Sequence, residues 1–224
     1  MDKRDQCGHC ALGKDCFSES LDVNAFKDMV SGHHHYDAGQ VLFSEGAQSK
    51  FAAVVQSGAI KRTRGDMIIG LALPGDYLGL SCLYSTTQVE TAIALERSRV
   101  CRLDTQTELP NHPQAVRLMA REMEQQRWQL EIQLKPATAR LASWLLRLSA
   151  HQCGRGLSRT HIRLPLNRTD TANYLGLALE TTSRLISKLN KDGLIKVQGR
   201  EIELLDLPGL AQLEIQGQTE QLGQ

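Results

Sequence analysis

An α+β chain is predicted, with an antiparallel roll, then a long helix, then a small helix-and-hairpin unit, on three observations. Between Ala38 and Asp104 short apolar runs alternate with turn glycines; from Val116 to Leu130 apolar residues recur at three-, four- and seven-residue intervals; beyond Cys153 two short helical patterns flank a glycine turn and lead into a hairpin. Short strands separated by turn signals at this spacing read as an antiparallel, jelly-roll-like sandwich or barrel. The recurrence at three and four reads as a helix with a narrow apolar stripe. With 224 residues the chain can bury the cores of two modest domains. The expected divisions are a cysteine-rich segment over 1–20, the β-roll over 21–109, the long helix over 110–135, and the C-terminal unit over 136–224.

In the roll, Gln40-Val41-Leu42-Phe43, Phe51-Ala-Ala-Val-Val55 and Met67-Ile-Ile69 read as strands, punctuated by Gly39, Gly46, Gly58, Gly65, Gly70, Gly75 and Gly79. Ala92-Ile-Ala-Leu95 and Arg99-Val-Cys-Arg-Leu103 supply closing strands, which sets Cys101 inside one of them. His33, His34 and His35 read as a solvated linker, because adjacent histidines on regular structure cannot all face one ion.

Pro110 and Pro113 end the roll. The helix that follows carries Val116, Met119, Met123 and Leu130 on its stripe, with Gln126 between the last two. A stripe this narrow fits a two-helix seam, where one polar residue costs stability while helping to set register. Homodimerisation through Val116, Met119, Met123 and Leu130 is therefore expected. Pro136 interrupts the helix, and Ala137 to Ala150, with Leu141, Trp144, Leu145 and Leu148, reads as a second, more buried one.

In the C-terminal unit Thr169 to Leu175 reads as a short helix, Gly176-Leu-Ala178 as a turn, and Leu179 to Asn190 as a second helix with Leu185, Ile186 and Leu189 inward. Gly193 stops it, and Leu194-Ile-Lys-Val197 with Ile202-Glu-Leu204 forms a hairpin around Gln198-Gly199. Two helices joined by a short glycine turn and followed by a hairpin are a winged helix-turn-helix. The Gln-rich tail after Pro208 is expected to fray. The overall formal charge of +1 conceals a local excess: His151 to Arg200 holds nine Lys or Arg against three Asp or Glu. A basic block of this kind is an electrostatic footprint for a polyanion. Glu180, Ser183 and Arg184 stand at i, i+3 and i+4, so they share one face of the second helix. Arg matches the O6 and N7 acceptors of guanine, Glu accepts from the amine of cytosine, and Ser bonds to either base or phosphate. An isolated Glu/Arg surface pair would contribute only about 0.2–0.5 kcal/mol. Its place on the reading helix of a basic unit points instead to readout of double-stranded DNA.

No apolar run approaches the ~20 residues of a membrane span, and Met1-Asp2-Lys3-Arg4 is not followed by the apolar segment of a signal peptide. A cytoplasmic protein is expected. In that reducing compartment clustered cysteines are metal-binding or redox-active more often than disulfide-forming. Cys7-Gly-His-Cys10 and Cys16, crowded into the first sixteen residues, can turn toward one point. Soft thiolates select zinc, copper(I) or iron-sulfur clusters. There is no Ser/His/Asp or paired-carboxylate arrangement and no phosphate-binding glycine loop before a helix, so no enzyme activity is expected.

The run from Asn167 to Arg184, the glycine-rich roll with Pro74-Gly75-Asp76, and the long connecting helix resemble the superfamily of the cyclic-AMP receptor and the fumarate-nitrate-reduction regulator, over nearly the whole chain. The oxygen-sensing branch carries an N-terminal Cys-x2-Cys-x5-Cys, matched by Cys7, Cys10 and Cys16, and a fourth cysteine on a late strand, matched by Cys101. The resemblance implies a [4Fe-4S] cluster on these four thiolates, homodimerisation and DNA binding while the cluster is intact, and TTGAT-like half-sites in an inverted repeat. It also implies contact with RNA polymerase through a surface hairpin, although Lys61 to Gly75 is several residues shorter than in the family. Cys82 is a rival fourth ligand, and four thiolates also suit a closed zinc site. The cyclic-nucleotide branch holds ribose with a Glu and phosphate with an Arg-Ser pair. Here Leu80 follows Gly79, and Glu90-Thr91 aligns with that pair, so a carboxylate would repel the phosphate and no cyclic nucleotide is expected.

Overall fold

A computed structural model describes residues 12, 30–48, 50–104 and 113–219. The chain divides into two compact units, Met1–Gln126 and Arg127–Gln224. In the first, eight antiparallel strands form two sheets among the described residues: β1 (Val30–Tyr36), β2 (Val41–Phe43), β3 (Phe51–Ser57), β4 (Ile60–Arg64), β5 (Met67–Ala72), β6 (Tyr77–Leu78), β7 (Thr91–Ala94) and β8 (Ser98–Asp104). One sheet has the order β1-β8-β3-β6 and the other β2-β7-β4-β5.

Alternation along the strands decides where each side chain goes. Ala53 and Val55 of β3 and Val100 of β8 join Leu42, Phe43, Ile60, Ala72, Ala92 and Ala94 of the opposite sheet in the interior between the two. Ala52 and Val54, with Cys101 and Leu103, face outward from β3 and β8, yet they too are buried. A second apolar cluster covers them, formed with Leu12, Val30, Tyr77, Leu80 and Leu118 of the long helix. Burial on both faces explains why β3 reads as a continuous apolar run.

Two elements differ from expectation. The histidine run is not a linker: it lies in β1, an edge strand, where His33 pairs with Cys101 and His35 with Arg99. β4, read past because Ile-Lys-Arg-Thr-Arg is mostly charged, is an interior strand between β5 and β7. The turn from β3 to β4 is made by Gly58 at φ +85°; a Cβ there would stand 2.3 Å from Ser98 Oγ and 2.7 Å from Ser98 Cα.

The long helix α1 (Pro113–Leu134) runs across the division between the units. In the second unit it is followed by α2 (Ala137–Gly154), β9 (His161–Arg163), α3 (Arg168–Leu175), α4 (Leu179–Lys191), β10 (Ile195–Gln198), β11 (Glu201–Leu204) and α5 (Leu207–Thr219). α2 buries Leu141, Trp144, Leu145 and Leu148, as its spacing predicts. The Gln-rich tail does not fray over the described residues. It forms α5, which buries Leu210 and pairs Glu214 with Lys135 at 2.9 Å. No helix of the described residues is long and apolar enough to cross a membrane.

Gly58→Ala is expected to lower the unfolding free energy by more than about 1 kcal/mol, because both the positive φ and the clash with Ser98 oppose a Cβ. Gly154→Ala, where an added Cβ meets nothing within 4 Å, should leave it unchanged or slightly raised; urea titration of both variants checks the contrast.

Candidate nucleic-acid interface and candidate metal centre

The helix-turn-helix is fixed by local chemistry at each joint. Asn167 caps α3, its Oδ1 accepting from the Asp170 N–H at 2.7 Å. Gly176 ends the helix in the left-handed region at φ +62°. Arg140 of α2 then pins the turn, donating to the carbonyls of Lys135 at 2.7 Å and of Leu175 and Gly176 at 3.1 Å. Trp144 and Trp128 flank Tyr174, which gives α3 an aromatic seat.

α4 is strongly two-faced. Thr182, Leu185, Ile186 and Leu189 are buried, whereas Glu180, Ser183 and Arg184 are all exposed on the opposite side. Lys188, exposed one turn beyond Arg184, belongs to the same face, and sequence reasoning passed over it although its i+4 spacing was the signal. Glu180 in the first turn and Lys188 and Lys191 in the last suit the helix dipole. Asn190 Oδ1 accepts from the Val197 N–H at 3.0 Å and ties the end of α4 to the hairpin of β10 and β11. The exposed Lys196 and Arg200 extend the positive surface along that hairpin. Arg168 is a further cation that sequence reasoning missed. It begins α3, burial lowers its pKa, and its Nη1 is buried without a hydrogen-bond partner. A cation at a helix N-terminus is disfavoured by the dipole, so an anion there would be welcome.

In the first unit Cys7, Cys10 and Cys16 lie outside the described residues. Leu12, between the second and third of them, is 3% exposed in the same apolar cluster as Cys101 and Leu118. Cys82, in the single turn of 3₁₀ helix Leu80–Leu83, packs against that cluster as well. Both candidates for a fourth thiolate therefore line one patch. Cys101 shares its sheet face with its cross-strand partners His33 and Val54. His33 Nδ1 lies 3.0 Å from Gln56 Oε1, while its Nε2 is buried with no hydrogen-bond partner. Burial pulls the His33 pKa below its usual value, with the Gln56 hydrogen bond opposing. An orphaned ring nitrogen beside a buried thiol suits a soft metal centre. Among the described residues alone, no group of three or more His, Cys, Asp or Glu gathers as a metal site.

Glu90, the residue that the sequence reading sets against the Arg-Ser pair, is 3% exposed, with Arg62 Nε donating to both carboxylate oxygens at 2.8 and 2.9 Å. The other edge of the guanidinium reaches Glu122 on α1, at 3.2 Å from Nη1 to Oε2 and more closely from Nη2 to Oε1. Along α1, Val116, Met123 and Leu130 are each about two thirds or more exposed and Met119 is half-buried.

Comparison with known proteins adds a second line. Residues 139–213 match the Crp-like helix-turn-helix domain and residues 33–107 the cyclic nucleotide-binding domain. The chain is 36% identical to the transcriptional activator protein FnrA of Stutzerimonas stutzeri over 223 residues, covering 92% of this chain and 91% of that protein. It is 33% identical to the fumarate and nitrate reduction regulatory protein of Escherichia coli strain K12, covering 92% and 89%. The solved structure of FixK2 from Bradyrhizobium japonicum superposes with a TM-score of 0.73 at 25% identity, over 83% of this chain and 98% of that one.

Arg140→Ala removes charged donors from two carbonyls at the turn and from that of Lys135 after α1, and a loss of about 2 kcal/mol is expected. Thermal unfolding of the variant, with α4 exposure followed by proteolysis, measures it.

Proposed function

Because the chain belongs to the Crp superfamily of transcription regulators, in the branch of the fumarate and nitrate reduction regulators, we propose that this DNA-binding regulator, which is not an enzyme, answers to oxygen or cellular redox state. It acts in the cytoplasm as a homodimer on an inverted repeat of TTGAT-like half-sites. Val116, Met119, Met123 and Leu130 form the seam between copies. Two-fold symmetry then sets the α4 helices in successive major grooves, about 34–36 Å apart.

The observation that carries this reading is the burial of Leu12 with Cys101 and Leu118. Chain length bounds Cys10 to within ~7 Å and Cys16 to within ~14 Å of Leu12, Cα to Cα. Cys7, Cys10, Cys16 and Cys101 are the proposed ligands, and a [4Fe-4S] cluster bound by them would supply an oxygen-labile centre. Withdrawal of Leu12 from Leu118 when the cluster is lost would remove part of the packing that holds α1. Two half-site contacts joined through one dimer bind by effective concentration, so a modest change at the seam becomes a large change in occupancy. No cyclic nucleotide enters this scheme, since the buried Glu90 carboxylate would face its phosphate. RNA polymerase is the further partner that a transcription regulator of this kind requires.

At the DNA, Arg184 forks onto guanine, Glu180 and Ser183 read its neighbours, and Arg168 meets a phosphate at the N-terminus of α3. Arg184→Ala should relax preference at the guanine position by about 1–3 kcal/mol. Arg168→Ala should weaken all sites alike and lower the salt slope by about 1. Binding to single-base variants of the site at several salt concentrations separates the two; unchanged relative affinities for Arg184→Ala would remove it from the readout.

The test of the sensor is the absorption spectrum of protein purified without oxygen, followed as air is admitted, with iron, sulfide and zinc quantified. A brown protein whose visible band changes on aeration is expected, and Cys101→Ser should abolish that band. Its survival in Cys101→Ser would transfer the fourth position to Cys82. A colourless zinc protein indifferent to air would leave a zinc-stabilised DNA-binding regulator and end the oxygen reading.

A further inference from the structure

Arg62, Glu90 and Glu122 make a buried ionic triad, with side chains 10%, 4% and 11% exposed. Its parts are far apart in sequence: Arg62 is on β4, Glu90 precedes β7, and Glu122 is on α1. Burial pulls the guanidinium pKa down, but Glu90 and then Glu122 more than offset this and hold it above its usual value. Space for the arginine is provided by its cross-strand partner Gly70, where a Cβ would stand 3.2 Å from Arg62 Cδ. One cation between two carboxylates leaves a net negative charge out of water. A group of well-packed apolar side chains would serve stability as well or better. The role of the triad is therefore sought in specificity.

The chain of contacts continues past the triad. Glu122 Oε1 accepts from Gln126 Nε2 at 2.9 Å, one turn along α1. Gln126 is exposed between Met123 and Leu130, as the polar residue of the apolar stripe. Glu122 itself faces inward, so it cannot meet the second copy directly. Gln126 can.

We propose that Gln126 is a specificity-determining residue of the homodimer seam, and that Glu90, Arg62 and Glu122 are positioning residues that hold its amide from the sheet. The inference rests on the homodimer reading above. A polar residue at a seam position selects register and oligomer state only if its amide is presented in a defined direction. Glu122 occupies one N–H of that amide and orients the rest toward the partner copy, so less ordering remains to be done on association. Arg62 keeps Glu122 in place, its second guanidinium edge engaging the carboxylate that accepts from Gln126. The control this gives is independent of any soluble ligand, because the anion that engages Arg62 is part of the chain.

The experiment is sedimentation equilibrium of full-length protein purified without oxygen, with Glu90→Gln, Gln126→Ala and their combination as a double-mutant cycle. Glu90 is buried in the roll just before β7 and is not on the exposed stripe of α1, so a structural role confined to the roll would alter the melting temperature alone. Weakening of the dimer by about threefold or more in Glu90→Gln, and no further weakening when it is combined with Gln126→Ala, is the expected coupling. Should Glu90→Gln unfold the roll, the triple replacement Arg62→Met, Glu90→Leu, Glu122→Leu keeps the volume apolar and severs the relay. Its dimer should be weakened to the same extent and be insensitive to Gln126→Ala. Additive effects, or a dimer unaltered by the triple replacement, would overturn the relay while leaving the dimer. An unmodified chain that stays monomeric at every concentration would overturn the dimer itself.

Discussion

The organisation of the molecule depends on a helix that leaves a set of its large apolar residues bare while burying others and turning several polar ones inward. α1 directs Val116, Met123, Leu130 and Leu134 to solvent and keeps Glu122, Gln125 and Gln129 toward its own chain. The inward polar groups are engaged: Glu122 with Arg62, Gln125 with Asp76 at 2.7 Å, and Gln129 with the Tyr174 carbonyl at 3.0 Å. Large apolar side chains left bare on a helix are unfavourable in water, and this exposure is what supports the seam proposed above. The polar contacts fix which face of the helix looks outward. In the homodimer proposed above, hydrophobic association would act on the face that remains.

Within the first unit the same logic governs the outer face of the β1-β8-β3-β6 sheet. Cys101 and Leu103 lie on the outer face of that sheet and are buried in one cluster with Leu12 and Leu118. One patch of apolar surface is thus shared by Leu12 and by Leu118 near the start of α1. Packed interiors transmit small displacements because they cannot be compressed. The proximity of a thiol, a cysteine-flanked leucine and the seam helix is the physical basis on which a change at one would be felt at the other.

How much of this was legible in the sequence differed by element. The helix-turn-helix was nearly complete, because Asn167, Gly176 and the Leu185, Ile186, Leu189 spacing act within a few residues of where they stand. β1 was misread since three adjacent histidines carry no apolar signal, and only pairing with β8, some seventy residues away, makes them a strand. β4 was passed over for a related reason. Its Arg62 looks like a surface residue until Gly70, Glu90 and Glu122 are brought to it by the fold, and nothing local announces those partners. Arg140 gave no signal, as its three acceptors are backbone carbonyls. The Gln-rich tail was expected to fray because its stripe is weak, whereas tertiary burial of Leu210 against α2 orders it. The cysteine spacing was plain in the sequence, but the covering of Cys101 by Leu12 needed the fold.

The position of α5 bears on how the chain is made. Leu210 is fully buried and Glu214 closes on Lys135, so the core of the second unit is incomplete until residues beyond 210 have left the ribosome. The sheets of the first unit need nothing past β8 and the start of α1. At about 5–20 residues per second, the first unit has several seconds to fold while the second helix of the helix-turn-helix has no finished scaffold to hold it. Synthesis order alone therefore delays a competent DNA-binding unit until after the first unit has had its chance to mature.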